Sequence, residues 1–286
     1  MTLGSEAAWA DRVRSNREQV DRFREVADGD FYAPVSTLFR ADPARPDDPV
    51  LRALLSLARP ADTWLDIGAG AGRYALPLAR SVAEVIALEP SPSMLDGLRA
   101  GITVHGVGNV RVVEGRWPDD AVGLAADVAL IAHVGYDIEA IGPFLDAMER
   151  AAGRVCVAVL MERAPASVAE SAWQAVHGEP RVALPALPEF LGVLLARGRL
   201  FEVTLLPPQP RRHPSRDDAR NVLRRQLWVG TAGPKADALE RVVAALRSDA
   251  DGIVIDPRPL RIGIVSWEPS GRDPSTFSPA SVSSPS

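Results

Sequence analysis

Lysine and cysteine are almost missing from this chain. Cys156 is the one thiol in 286 residues, which excludes an intrachain disulfide and any zinc site built from several cysteines, so no metal site is expected. Lys235 is the one lysine among 32 basic residues, and no Gly-Lys-Ser/Thr loop for cradling phosphates is present. An excess of basic charge is missing too. With a formal net charge of −5 the chain exerts no long-range pull on phosphate backbones, and nucleic acid is not the expected partner. No apolar run approaches the ~20 residues of a membrane span, and the opening MTLGSEAAWADRVRSNREQ holds no signal-peptide core. The expectation is a cytoplasmic protein of ordinary globular composition, 47% hydrophobic and 24% charged.

What is present is a strong alternation. Residues 7–27 place Trp9, Val13, Val20, Phe23 and Ala27 on one face of an amphipathic helix. A loop, DFYAPVSTLFRADPARPDD, follows, and Asp48 with Pro49 reads as N-cap and first turn of PVLRALLSLA. Residues 1–48 are therefore expected to form a helical extension. Either it packs on a face of the sheet, or it is a lid carrying Phe31, Tyr32 and Phe39, whose removal (residues 1–40) leaves the core folded. From Thr63 onward the Val/Ile/Leu-rich runs TWLDI, EVIAL, VRVVE, DVALIA and RVCVAVL alternate with helical spacing in RYALPLAR, PSMLDGLR and IEAIGPFLDAMERA. Strands buried on both faces read as continuous apolar runs, so the pattern predicts an α/β fold with a doubly wound, mostly parallel sheet and helices on both faces. Pro77 predicts a kinked or short helix. A helix in LPALPEFLGVLLARG and two late strands, LFEVTLL and RIGIVSW, complete a domain over residues 49–268, with an insertion at 207–252 holding two helical segments. Residues 269–286 are Ser/Pro-rich and read as a disordered tail.

The chemistry concentrates in WLDIGAGAGRYALPLA, residues 64–79. A strand that ends in close-set glycines and turns into a helix lets backbone N–H groups approach a ligand with no Cβ between. The dinucleotide fingerprint needs G-x-G-x-x-G, and Arg73 stands where its third glycine would pack, so a nicotinamide-dependent oxidoreductase is the weaker reading.

D-I-G-A-G-A-G-R, followed by VIALEPSPSML with an acid closing the second strand, resembles the S-adenosylmethionine site of the class I methyltransferases. The resemblance covers residues 49–160 by motif and extends to about residue 267 by topology. It implies a seven-stranded sheet of order 3-2-1-4-5-7-6 with the last strand antiparallel, and S-adenosylmethionine as cofactor. It also implies that Asp66, Gly68, Ala69, Gly70 and Gly72 pass under the methionine part, and that Glu89, with Pro90 and Met94 beside it, accepts from both ribose hydroxyls. After the third strand such proteins commonly present Gly-Asp, whereas this chain has VVEGRWPDD. Arg116 takes the acid's place; Trp117 is expected to stack on adenine or to cap the core, or Glu114 or Asp119 supplies the adenine acceptor, and Arg116 and Trp117 are counted with the cofactor-binding residues.

The segment IAHVGYD after the fourth strand lacks the Asn/Asp-Pro-Pro-aromatic signature of DNA amino-methyltransferases, and Cys156, inside an apolar strand, reads as a structural thiol. The expected activity is methyl transfer to the O or N nucleophile of a small-molecule acceptor. His133 and Tyr136 are the catalytic candidates, with His133 either a general base or a hydrogen-bond partner of the cofactor. Asp137 is expected to cap the next helix, and His213 is a second candidate base. Two alternatives remain. One is a cofactor-binding sensor or partner subunit without turnover. The other is RNA methylation through the insertion's Arg211, Arg212, Arg216, Arg220, Arg224 and Arg225, whose plainer reading is a solvated helix face.

Overall fold

The structure is a computed structural model and describes residues 2–26, 48–208 and 212–270. Seven strands form the central sheet: β1 (Thr63–Ile67), β2 (Glu84–Glu89), β3 (Val110–Glu114), β4 (Ala126–Ala132), β5 (Ala152–Met161), β6 (Phe201–Leu205) and β9 (Ile262–Trp267). Their order is β3-β2-β1-β4-β5-β9-β6. The first five run parallel, while β9 is antiparallel to both β5 and β6. This is the expected order. The last strand carries the label β9 because two short strands, β7 (Arg247–Asp249) and β8 (Gly252–Val254), form a separate hairpin before it.

Side chains along each strand alternate between two cores, as the pleat requires. Leu65, Ile67, Ile86, Leu88, Ala129 and Ile131 point to one face, covered by α5 (Ile141–Ala151) and α7 (Leu187–Ala196). Trp64, Val85, Ala87, Val128, Leu130 and Val157 point to the other, covered by α2 (Pro49–Leu57), α3 (Ala75–Ala79) and Leu98 of α4 (Pro92–His105). Local signals act as read. The Asp48 side chain accepts from Val50 N and Leu51 N at the start of α2, Ser91 accepts from Met94 N at the start of α4, and α3, with Pro77 at its centre, is five residues long.

A third core lies outside the sheet. Trp173 of α6 (Glu170–His177) is enclosed by α8 (Arg216–Leu227), α9 (Pro234–Ala244) and Ile253 of the hairpin. The helix α1 (Thr2–Phe23) joins this unit to the sheet domain. Its Trp9 and Val13 belong to the core with α5 and α7, while its Val20 and Phe23 belong to the core around Trp173. Between them, Gln19 receives a bond from Val182 N and donates one to Pro180 O, at 2.7 and 2.8 Å. Within the described part of the extension, α1 is packed, with Trp9 only 2% exposed. The rest of the extension, with Phe31, Tyr32 and Phe39, lies outside the described residues. So do residues 271–286 of the tail, whereas Ser270 donates through its hydroxyl to Glu149 at 2.6 Å. No helix among the described residues is long and apolar enough to cross a membrane.

One expected cap is corrected. Helix α5 begins at Ile141 with Ala140 as N-cap and no side-chain cap bond, so Asp137 does not cap it. The preceding residues are drawn away toward α1 instead. Trp9 Nε1 donates to Ile138 O at 2.8 Å, and Glu139 is held by Arg14 and Arg17, each at 2.9 Å.

Candidate active site

The carboxyl ends of β1, β2 and β4 meet at the point where strand order reverses, the usual place for a ligand crevice in an open α/β sheet. Leaving β1, the N–H groups of Gly68 and Ala69 donate to Leu88 O at 2.8 and 3.0 Å, which anchors the loop to β2. Two glycines then do different jobs. Gly72, at φ +86°, allows close packing: a Cβ there would stand 2.7 Å from Leu98 Cδ1 and 2.8 Å from Leu76 Cγ. Gly70, at φ +58°, keeps a space clear, since among the described residues a Cβ there would meet nothing nearer than Met94 Sδ at 4.0 Å.

Two carboxylates lie beneath this loop. Glu89 is buried, and its Oε2 accepts from Gly70 N at 2.8 Å while Oε1 accepts from Ser91 N at 2.9 Å. A carboxylate oxygen can accept more than one hydrogen bond, so bonds from a diol need not displace these. Asp66 is 2% exposed, and its Oδ1 has no hydrogen-bond partner among the described residues. Burial, reinforced by the negative charge of Glu89 and opposed by the Ala75 N–H, pushes the Asp66 carboxyl up to about 7. Such an oxygen, once ionised, is stabilised by a donor or cation brought in from outside. The ammonium of an amino-acid ligand is such a group. Together with the cleared space at Gly70, this oxygen fits the methionine end of S-adenosylmethionine.

The remaining candidates divide. Ala69 and Met94 are buried in the loop's wall, and Pro90 is exposed beside Glu89. His133 leaves β4 in the left-handed region at φ +60°, with its N–H donating to Val159 O at 2.8 Å. Its ring lies 6.5 Å from that of Tyr74. Tyr74 follows the glycine loop directly, and proximity in GRYALPLA was the one sequence signal for it. Tyr136 is buried, and its hydroxyl accepts from Met161 N at 2.7 Å, tying the β4 exit to the end of β5. Trp117 packs edge-on against Phe144, and its Nε1 donates to Phe144 O at 3.3 Å. The Arg116 side chain is exposed while its backbone N–H donates to Asp120 at 2.8 Å; Asp119 is exposed as well, and Glu114 lies 3.5 Å from Arg99.

Away from this edge, Cys156 is fully buried and burial pushes its thiol far up, as a structural thiol requires. His213 is buried beside the hairpin, its backbone paired with Ile253. Four of the insertion's arginines are engaged internally, whereas Arg211 lies outside the described residues. Arg212 binds Asp249 at 2.7 Å, Arg216 donates to Val243 O and Leu246 O, and Arg220 and Arg224 share Glu240 at 2.9 and 3.2 Å.

Residues 65–153 match the family model described as a methyltransferase domain. No curated protein matches the chain. Among solved structures, a methyltransferase from Thiobacillus denitrificans in complex with S-adenosyl-L-homocysteine is similar at TM-score 0.55 and 16% identity, covering 85% of this chain and 99% of its own. A Geobacter sulfurreducens methyltransferase, also in complex with S-adenosyl-L-homocysteine, is similar at TM-score 0.55 and 15% identity, covering 85% and 98%. The YcgJ protein of Bacillus subtilis aligns at TM-score 0.53 and 17% identity, covering 77% and 98%. These likenesses show the fold, and the domain match spans the strand ends that carry the glycine loop, Asp66 and Glu89. The chain thus carries a methyltransferase-domain match over residues 65–153, on a fold similar to that of these S-adenosyl-L-homocysteine-binding methyltransferases.

Proposed function

We propose that this chain methylates a small molecule at an oxygen or nitrogen nucleophile. The observation that carries the cofactor half is the buried Asp66 oxygen, without a partner among the described residues, beside the space at Gly70. S-adenosylmethionine supplies a methyl group on a sulfonium, already activated for in-line displacement. The protein's task is then largely alignment, which alone can contribute roughly 7–11 kcal/mol. Asp66 would bind the ammonium, and Glu89 the ribose hydroxyls. His133, at the exit of β4, would take the proton of a hydroxyl acceptor as the oxygen–methyl bond forms and the sulfur–methyl bond breaks. A neutral amine needs only orientation, with its proton lost to solvent afterwards.

A small acceptor is favoured over RNA by charge. The net charge is −5, and Arg212, Arg216, Arg220 and Arg224 are engaged with Asp249, Glu240 and backbone carbonyls rather than presented as a phosphate-binding face. The test is a screen of small oxygen and nitrogen nucleophiles with S-adenosylmethionine, read as S-adenosylhomocysteine formed. Accumulation with at least one acceptor is expected. Tight cofactor binding without turnover on any acceptor would favour the sensor reading, and turnover on RNA that collapses with added salt would favour the nucleic-acid one.

A further inference from the structure

Beyond the glycine loop, one largely enclosed arginine makes no ion pair with a carboxylate among the described residues. The guanidinium of Arg181, on the loop between α6 and α7, stacks over Trp173 at 4.8 Å from the ring centroid. Its Nη1 donates to Ala166 O at 3.2 Å and Gln226 O at 3.0 Å, while its Nε is shut off from solvent and makes no hydrogen bond among the described residues. Other arginines with little exposure, Arg154, Arg163, Arg197 and Arg199, each pair directly with an Asp or Glu. Arg181 has only the more distant charge of Glu170 acting on it, and burial draws its pKa down to about 10. A cation taken out of water without a counter-ion is a costly arrangement unless an anion completes it.

The side chain lines a cleft of about 310 Å³ with Glu170, Ser171, Gln174, Pro180 and Arg258, at the lower end of ligand-pocket sizes. Arg258 donates to Glu170 at 2.8 Å and to Asp256 at 2.9 Å, so Glu170 holds the position an incoming anion would take. The cleft lies beyond the carboxyl end of β5. Met161 ends that strand nine residues before Glu170, and its partner Ile262 begins β9 four residues after Arg258. His133 leaves the neighbouring strand at the same edge of the sheet.

We propose that this cleft is a binding site for a small oxyanion, a carboxylate or phosphate, with Arg181 as its charge partner, Arg258 as a second donor and Glu170 as a built-in competitor. Where the oxyanion belongs to the methyl acceptor, the assignment rests on the function proposed above; the anion site itself does not.

The test titrates inorganic phosphate, then succinate, into the full chain at constant ionic strength against chloride and follows the melting temperature. A saturable rise beyond the chloride control is expected. Arg181→Gln, which keeps an amide donor for the carbonyls, should weaken the midpoint about tenfold or more, the scale of a lost charge-assisted bond. Glu170→Gln should tighten it severalfold by removing the competitor and releasing Arg258. A purely structural Arg181 predicts no such gain, so this arm decides even if Arg181→Gln does not fold. No rise beyond chloride, or equal midpoints in Glu170→Gln and the unmodified protein, would overturn the proposal. The source of the anion is read from paired acceptors. If the acceptor carries it, Arg181→Gln raises KM for a carboxylate acceptor and not for its carboxamide; equal KM effects with phosphate binding intact assign the site to a separate anion. Absence of turnover would count against the proposed function alone, leaving the phosphate titration as evidence for or against the cleft.

Discussion

Cofactor affinity should fall steeply as pH drops below 7, and Asp66 should be the cause. The carboxyl is pushed up to about 7 by burial and by Glu89, against roughly 3.9 in an unfolded chain. At ~1.4 kcal/mol per unit, the three-unit difference shifts the balance toward the protonated form by about 4 kcal/mol relative to an unfolded chain. An ammonium facing the buried Oδ1 reverses that preference, so binding below pH 7 must release a proton. The dissociation constant should then rise about tenfold for each pH unit below 7 and flatten above 7. Calorimetry with S-adenosylhomocysteine at pH 5.5, 6.5 and 7.5, in two buffers of different ionisation enthalpy, measures both the slope and the proton. Asp66→Asn should abolish the slope while weakening binding at pH 7.5.

The same shift sets a stability trend of known sign. An acid whose folded pKa is raised contributes stability that is complete below about 4 and is lost as pH rises through about 7. The ligand-free protein should therefore melt lower at pH 8 than this group alone would give at pH 5, and Asp66→Asn should raise the ligand-free melting temperature at pH 8. A flat dissociation constant between pH 5.5 and 7.5, or an unaltered slope in Asp66→Asn, would refute the reasoning.

Four further outcomes are expected. Glu89→Ala should weaken S-adenosylhomocysteine binding by about tenfold to several hundredfold, at roughly 1.5–3 kcal/mol per charge-assisted bond, and should also lower the melting temperature because Gly70 N and Ser91 N lose their acceptor. Gly70→Ala should fold with strain on the order of 1–2 kcal/mol from its left-handed backbone yet lose cofactor binding, whereas Gly72→Ala, meeting Leu98 and Leu76, should fail at folding; circular dichroism and calorimetry separate the two. Trp9→Ala should destabilise by roughly 3–5 kcal/mol as a core truncation, and removal of α1 should abolish cooperative melting instead of leaving an intact core. His133→Asn should hold cofactor affinity within a few fold while lowering kcat, most for an oxygen acceptor, and an unchanged kcat with an unchanged pH profile would remove His133 from the chemistry.

What the sequence made legible was local. Each apolar run became a strand of the expected sheet, and Asp48, Ser91 and Pro77 acted through bonds or clashes spanning a few residues. Asp66 and Glu89 stand on adjacent strand ends because the parallel register of β1 and β2 carries both to the same edge. What stayed hidden was every effect that depends on a distant partner. The apolar stripe of α1 was plain in its periodicity, but periodicity says which face is buried and not against what. That one half meets α5 and α7 and the other meets Trp173 is a tertiary fact. Asp137 carried a cap signal, and it was overridden by Trp9 and Arg14, more than 120 residues away in the chain. The three-residue strands β7 and β8 are too short to show an alternation, and all of β7 is exposed. The basic helix α8 shows the same limit from the other side. Its arginines at i, i+4 and i+8 read as a charged face open to any anion, but Glu240 of α9 and the carbonyls at the end of that helix already answer Arg216, Arg220 and Arg224. Arg181, in WQAVHGEPRVALPALPEF with nothing in the sequence to mark it, donates only to backbone carbonyls and leaves its Nε unbonded among the described residues. Charge along a sequence locates cations, but only packing shows which have been neutralised from within, and it is the remainder that can bind something else.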